Sequence, residues 1–195
     1  SFDNSRLKMI NLPVLKRHGS AWATISLKNY IGFITTANPT YLRWTDAAEI
    51  HCWLVGSSDN GANCSEYQNN FGLIARQMAR IRKADLNIVD AIWVNPRNNG
   101  GWEGEIRRQD VLLASRDPFA ADYYAAEYVL YPLVQQFDGT ATPQHAQASY
   151  HGGWFRRLLV SNSARAQAEG LSNYITIADS LTREQELAQF NVYAI

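Results

Sequence analysis

Residues 86–94 read Leu-Asn-Ile-Val-Asp-Ala-Ile-Trp-Val, an apolar run that two polar residues interrupt. A short run of this kind, rich in branched and aromatic side chains, predicts a β-strand. Two further runs have the same character, at residues 7–15 and 111–115. Helical patterns lie between these runs, at residues 21–33 and 71–83. Strands that alternate with helices predict an α/β fold, with a layered mixed or parallel sheet and flanking helices.

The second half of the chain is predicted to be mainly helical. Asp117 followed by Pro118 indicates a helix start, because Asp caps the first turn and Pro fits the first helical position. This helix is expected to continue past a kink at Pro132. Residues 154–170 predict another helix, and residues 174–178 predict a final strand before a short C-terminal helix.

Length and composition fit one globular domain. The chain has 195 residues, of which 46% are hydrophobic and 18% are charged, as in ordinary globular proteins. Eighteen basic and eighteen acidic residues leave no net charge, which argues against a nucleic-acid-binding protein. No apolar run reaches the roughly 18 residues that span a bilayer. We divide the chain into an α/β core segment, residues 1–138, and a C-terminal extension, residues 139–195, packed on the same domain.

The cysteines predict no metal site. Cys52 and Cys64 form neither a Cys-x-x-Cys pair nor a zinc-type pattern with histidine. We expect these two thiols either to form a disulfide or to be buried separately, and not to hold an iron–sulfur cluster. Their redox state and the cellular compartment stay open, because a disulfide is expected only in an exported protein.

Polar side chains follow or interrupt the predicted strands. Lys16 and His18 follow the first strand, Asp90 lies in the second, and Asp117 follows the third. Ligands of open α/β sheets bind beyond the carboxyl ends of the strands, so parallel strands would gather these groups at one rim. Structural roles are the alternative: Asp117 caps its helix, Asp90 satisfies backbone donors, and Lys16 and His18 belong to a solvated turn.

Lys28 lies in an otherwise apolar helical pattern, with Thr24 four residues earlier on the same predicted face. Its ammonium group could reach solvent along its own stem. Alternatively it could hold a phosphate, a carboxylate or a carbonyl carbon, because a desolvated Lys titrates readily. We predict that one ligand on one side of the sheet is shared by four side chains, those of Lys16, His18, Lys28 and Asp90.

Several motifs taken together resemble the domain of unknown function 362 family. The first strand ends in an Asn-x-Pro-x-x-Lys-x-His motif at residues 11–18, followed by Thr24 and by Leu-Lys-Asn-x-x-Gly at residues 27–32. Asn-Ile-Val-Asp-Ala-Ile at residues 87–92 and Leu-Ala-Ser-Arg-Asp-Pro-Phe-Ala-Ala-Asp at residues 113–122 follow in the family order. The resemblance spans roughly residues 7 to 130 and corresponds to the C-terminal part of the family domain.

The resemblance implies three further polar positions, Asn11, Asn29 and Asp122, which we assign to cofactor binding with the cofactor unspecified. Family members look like larger proteins with an upstream α/β half, so this chain is expected to be part of a larger domain. The sheet edge beside residues 7–15 should then be covered by another polypeptide or an upstream segment. Some members resemble exported proteins, which favours an exported location, and others carry iron–sulfur modules whose cysteines do not occur here.

Two functions are compatible with these patterns. The leading interpretation is an enzyme or cofactor-dependent protein that acts on a small anionic ligand. In it Lys16 and Lys28 supply charge, His18 acts as acid or base, and Asp90 or Asp117 orients the imidazole. The alternative is a non-catalytic binding or assembly subunit with an aromatic-rich interface, since the chain has six Trp and ten Tyr. A flat exposed aromatic band would favour this alternative.

Overall fold

The computed structural model describes residues 7–19, 21–33, 72–97, 106–139 and 141–193. The predictions for Cys52 and Cys64 concern residues outside these ranges. In chain order the described elements are strands β1 (Ile10–Asn11) and β2 (Val14–Lys16), helix α1 (Ser26–Asn29) with a 3₁₀ turn at Tyr30–Phe33, helix α2 (Leu73–Arg80), strands β3 (Leu86–Asn95) and β4 (Arg107–Ser115), helix α3 (Pro118–Tyr124), a π-helical turn at Ala125–Leu130, helix α4 (Tyr131–Phe137), a 3₁₀ turn at Pro143–Ala146, and helices α5 (Trp154–Ala168) and α6 (Arg183–Leu187).

The sheet is built around β3. β4 runs antiparallel along one edge of β3, so β1 and β2, which both pair with β3 in parallel, share the other edge. They are two parts of one strand interrupted at Leu12 and Pro13, where proline has no N–H to donate. The α/β fold and the mixed sheet are confirmed, and the three predicted strands are neighbours. β4 begins earlier than predicted, at Arg107, because pairing with β3 overrides the polar composition of residues 107–110.

The first helix is shorter than the pattern at residues 21–33 predicted. Thr24 forms an antiparallel bridge with Lys16, and α1 begins only at Ser26. The prediction that Thr24 and Lys28 share a helical face is therefore wrong, because Thr24 lies in extended backbone. Later helices agree better with prediction: Asp117 caps α3 with Pro118 in the first turn, and Pro132 lies in the first turn of α4.

The predicted final strand at residues 174–178 does not form. Its backbone N–H groups donate to side chains instead of to a neighbouring strand. Ile175 donates to Asp117 at 2.6 Å, Thr176 to Gln189 at 2.8 Å, and Ile177 to Ser163 at 2.9 Å. Because side chains accept these backbone hydrogen bonds, the extended segment is not part of the sheet. The alternation of apolar residues in the sequence does not distinguish such a segment from a strand.

The core lies on one face of the sheet. Leu15, Val89 and Ala91 point into it and are fully buried, together with apolar residues of the helices. The intervening residues of β3, among them Ile88 and Asp90, point to the other face and are half-buried. Within the described part of the chain, no helix has the length and apolar character needed to cross a membrane.

The C-terminal extension contributes to the same core and is fixed by a buried charge cluster. Leu158 and Ile177 belong to the core. Arg156 is fully buried, donates to both carboxylate oxygens of Glu186 at 3.0 and 3.1 Å, and also bonds Asp179 at 2.8 Å. A buried guanidinium with this many acceptors is satisfied, so we interpret the cluster as structural.

Candidate functional site

Lys28 is a buried cation without a counter-ion among the described residues. It lies in α1 and is only 9% exposed. It makes no hydrogen bond or ion pair with any residue that the structure describes. Two causes lower the pKa of Lys28 to about 7: burial, which is the larger, and the nearby charge of Lys16. Two repelling ammonium groups at a desolvated position favour an anionic guest.

Thr24 is bridged to Lys16, whose charge acts on the Lys28 amine. Thr24 N–H donates to the carbonyl oxygen of Lys16 at 2.8 Å, which ties the chain before α1 to the end of β2. The Thr24 hydroxyl is buried and has no hydrogen-bond partner among the described residues. A buried hydroxyl without a partner is costly and uncommon. Among the described residues, the Thr24 hydroxyl thus has no hydrogen-bond partner and Lys28 has no counter-ion.

Asp122 of α3 holds the start of α1. Its two carboxylate oxygens accept from the backbone N–H groups of Ser26 at 2.7 Å and of Leu27 at 2.9 Å. Burial raises the pKa of Asp122 to about 7, and the backbone donors oppose this shift. These bonds cap a helix whose own N-cap side chain makes none. Asp122 therefore positions Lys28 through α1, which accounts for the carboxylate without a cofactor.

A network of asparagine side chains ties α1 to the sheet. Asn11 donates to the carbonyl oxygen of Ser26 and to the side chain of Asn87, both at 3.0 Å. It accepts from the side chain of Asn29 at 2.6 Å. Asn11 is buried, so these contacts occupy both ends of its amide. The geometry assigns Asn11 and Asn29 a structural role, while cofactor binding by them stays a prediction.

Replacing Asn11 with Ala is expected to lower the free energy of unfolding by about 2 kcal/mol, because the Ser26 carbonyl and the Asn87 side chain lose a buried donor. Asn29→Ala, at an exposed position, should cost under about 1 kcal/mol. Urea unfolding of both variants measures the difference. No loss of stability in Asn11→Ala would contradict the network.

The turn after β2 is more ordered than a solvated turn. His18 Nδ1 accepts from the backbone N–H of Ala21 at 3.2 Å, which puts the proton of the neutral imidazole on Nε2. Arg17 is buried, forms an ion pair with Asp138 at 2.8 Å and lies 4.1 Å from the Trp22 ring centroid. Trp22 has a left-handed backbone, φ +61°, a strained conformation for a bulky residue. His18 thus remains an acid–base candidate in a rigid turn.

Asp90 is not brought to Lys28. The carboxylate of Asp90 lies on the outer face of the sheet, between Val14 of β2 and Leu112 of β4. α1 packs on the inner face, where Asn11 bonds Ser26. The strand pairing thus gives no contact between Asp90 and Lys28, and a ligand shared by the two stays a prediction. The side chain of Asp90 accepts from Ile92 N–H at 3.0 Å, a donor freed by the adjacent bulge.

Asp117 also lies away from Lys16. Because β4 is antiparallel to β3, it ends where β3 begins, at the opposite end of the sheet from Lys16. The oxygens of Asp117 accept from Phe119, Ala120 and Ile175 N–H groups. Burial raises its pKa and the three N–H donors oppose the rise. The role of Asp117 as the N-cap of α3 accounts for this carboxylate.

Sequence reasoning did not identify the partners that hold the site. Asn87, the ion pair of Arg17 with Asp138, and the buried Arg156 were not predicted as determinants of structure. A signal existed for Arg156, a charge inside an apolar helical run. No sequence signal marked Asp138, because its ion pair with Arg17 depends on the turn that brings the two residues together.

Comparisons with known proteins assign no activity. A family model described as a domain of unknown function (DUF362) matches residues 7–127. One curated relative is a thylakoid-associated protein of Synechocystis sp., 27% identical over 138 residues, which make up 71% of this chain and 35% of the relative. The chain thus spans about a third of that relative's length. No solved structure matches the chain.

Proposed function

The chain belongs to the DUF362 family, and we propose that it binds a small anionic ligand between Lys28 and Lys16. The buried Lys28, which has no counter-ion among the described residues, carries this proposal. Burying a cation without an anion costs several kcal/mol, and a bound phosphate or carboxylate would remove that cost. The Thr24 hydroxyl, without a partner among the described residues, supplies a neutral donor for the same guest.

A reaction at this position would use Lys28 as acid or base. A group with a pKa of about 7 exchanges protons readily at neutral pH, the condition that general acid–base catalysis favours. His18 is the second titratable side chain we assign to the site, in the turn that follows Lys16. The proposal does not include Asp90, which lies on the outer face of the sheet, or Asp117, which lies at the opposite end of the sheet from Lys16.

The test is a binding titration with a defined panel of anions: inorganic phosphate, sulfate, acetate and citrate. At pH 8 Lys28 is mostly neutral, and an anion that restores its pKa toward 10.5 should draw close to one proton from the buffer. Calorimetry in two buffers of different ionisation enthalpy measures this uptake. Lys28→Met is expected to lose the uptake and to weaken binding by about tenfold or more.

Lys8→Met is the matched control, because Lys8 is an exposed lysine paired with Asp85 at 3.3 Å. It should bind the same anion within about twofold of the wild type. Unchanged affinity and unchanged proton uptake in Lys28→Met would overturn the proposal. So would the failure of every anion in the panel to raise the melting temperature.

An assembly role is the second candidate, favoured by the free edge of the first strand. β1 and β2 pair with β3 along one edge only, and apart from the Thr24 bridge no described residue pairs with their outer edge. We propose that another polypeptide strand pairs there. Slow hydrogen exchange at the outward N–H groups of residues 10–14 in the native assembly, and fast exchange in the isolated chain, would support it. Fast exchange in both would exclude it.

A further inference from the structure

The outer face of the sheet is apolar and open. Ile10, Val14 and Leu112 are 54%, 51% and 62% exposed, and each neighbours a residue of β3 in the sheet. Ile88 and Ile92 of β3 lie between them and are half-buried. Exposed aromatic residues contribute less: Trp93 lies near the end of β3, while Tyr128 and Tyr193 lie on other elements. Among the described residues the exposed face of the sheet is thus aliphatic, and the aromatic-rich interface stays a prediction.

β3 has the sequence of a strand buried on both faces. Its apolar residues do not alternate: Ile88 and Ile92 on the outer face match Val89 and Ala91 on the inner face. Near-continuous apolar strands with parallel neighbours occur in sheets with helices on both sides. Here the core and the helices packed in it lie on the inner face. Within the described ranges, no second layer covers the outer face of this strand.

We propose that an amphipathic helix of a polypeptide outside these 195 residues covers the outer face and sets a Lys or Arg against Asp90. This inference goes beyond the assembly candidate, which concerns the edge of the first strand, and it is independent of the anionic-ligand proposal. We expect a Lys or Arg in the helix because its positive charge would complement the carboxylate of Asp90. Asp90 is flanked in the sheet by Val14 and Leu112, and a purely apolar cover would desolvate its carboxylate without compensation.

A second copy of this chain fits the face less well. Two identical faces packed about a twofold axis through the middle of the patch would bring the two Asp90 carboxylates together. Like charges at such a contact are unfavourable by several kcal/mol. The curated relative, of which the matched residues make up 35%, has most of its length outside the match, so family members of that length carry additional polypeptide.

A photo-cross-linking amino acid in place of Leu112 tests the proposal. The complete polypeptide that carries it is expressed in its native cells. The control carries the same group in place of Val192, which is similarly exposed at 58% on another segment. We expect one dominant cross-link from position 112, absent from position 192, to a peptide beyond these residues with an apolar stripe and a Lys or Arg. A cross-link within residues 1–195, or between position 112 and a second copy, would overturn the proposal. So would no cross-link at all.

The captured peptide, synthesised and titrated into the purified 195-residue protein, supplies the second readout. Asp90→Asn removes the charge and keeps an acceptor for Ile92 N–H, and it is expected to weaken binding about tenfold. Asp110→Asn is the control, since Asp110 is an exposed carboxylate of β4 already paired with Arg108 at 2.7 Å. Equal affinities of the Asp90→Asn and Asp110→Asn variants would refute the assigned ion pair, and a non-helical bound peptide would refute the helix.

Discussion

Lys28→Met is expected to raise the free energy of unfolding by about 4 kcal/mol at pH 7. The pKa of Lys28 falls from 10.5 to about 7 on folding, and each pKa unit corresponds to about 1.4 kcal/mol. Methionine matches the length of the lysine stem and carries no charge to desolvate. A stabilising substitution at a buried position is unusual, and it would identify Lys28 as a residue kept at a cost in stability.

The pH dependence gives the same prediction a second measurement. Between pH 7 and 10.5 the unfolded chain holds the Lys28 proton and the folded chain releases it. The unfolded state then binds more protons, so the stability of the wild type rises with pH across this window. In Lys28→Met that contribution is absent, and the two stability curves should converge near pH 10.

Urea unfolding of both proteins at pH 6, 8 and 10 measures the convergence. The difference in free energy of unfolding between wild type and variant at each pH cancels the titration of other groups. A saturating anion should reduce the gap at pH 7, because the ligand stabilises the wild type more than the variant that binds it more weakly. A variant less stable than the wild type at every pH would mean that Lys28 has a counter-ion and that the proposed site is wrong.

The sheet was predictable because apolar runs report strands directly. Residues 86–94 predicted β3 to within one residue of its end, since side chains apolar on both faces leave few alternatives. The direction of β4 was not predictable, because a short apolar run does not encode which way it pairs. That direction removed Asp117 from the predicted rim.

Within the proposed site, Lys28 stood out in the sequence, whereas the placement of the carboxylates was not predictable. Lys28 stood out as a charge within an apolar pattern, and the structure buries it. Asp90 stood out for the same reason, yet parity along β3 sends its side chain to the opposite face from α1. Which face of a strand meets a given helix depends on the packing of α1 through Asn11 and Asp122. These contacts join residues far apart in the chain, so local patterns do not contain them.

At pH 5, below the folded-state pKa of Asp122, Asp122→Ala is expected to lower the free energy of unfolding by about 3 kcal/mol and to abolish anion binding. The N–H groups of Ser26 and Leu27 lose their acceptor in a fully buried position, and each unsatisfied buried donor costs about 1–3 kcal/mol. α1 would then lose the contact that fixes its start, and Lys28 with it. Chemical unfolding and the anion titration measure the two losses.

Asp122→Asn separates capping from charge. Its side-chain oxygen can still accept one of the two bonds, so the loss should be smaller than in Asp122→Ala. Burial raises the pKa of Asp122 to about 7, so the folded state binds the extra proton between pH 4 and 7 and the wild type loses stability as pH rises through that window. The Asn variant lacks this slope and should therefore approach the wild type in stability toward pH 7. Equal stability of Asp122→Ala and the wild type at pH 5 would show that Asp122 does not hold α1.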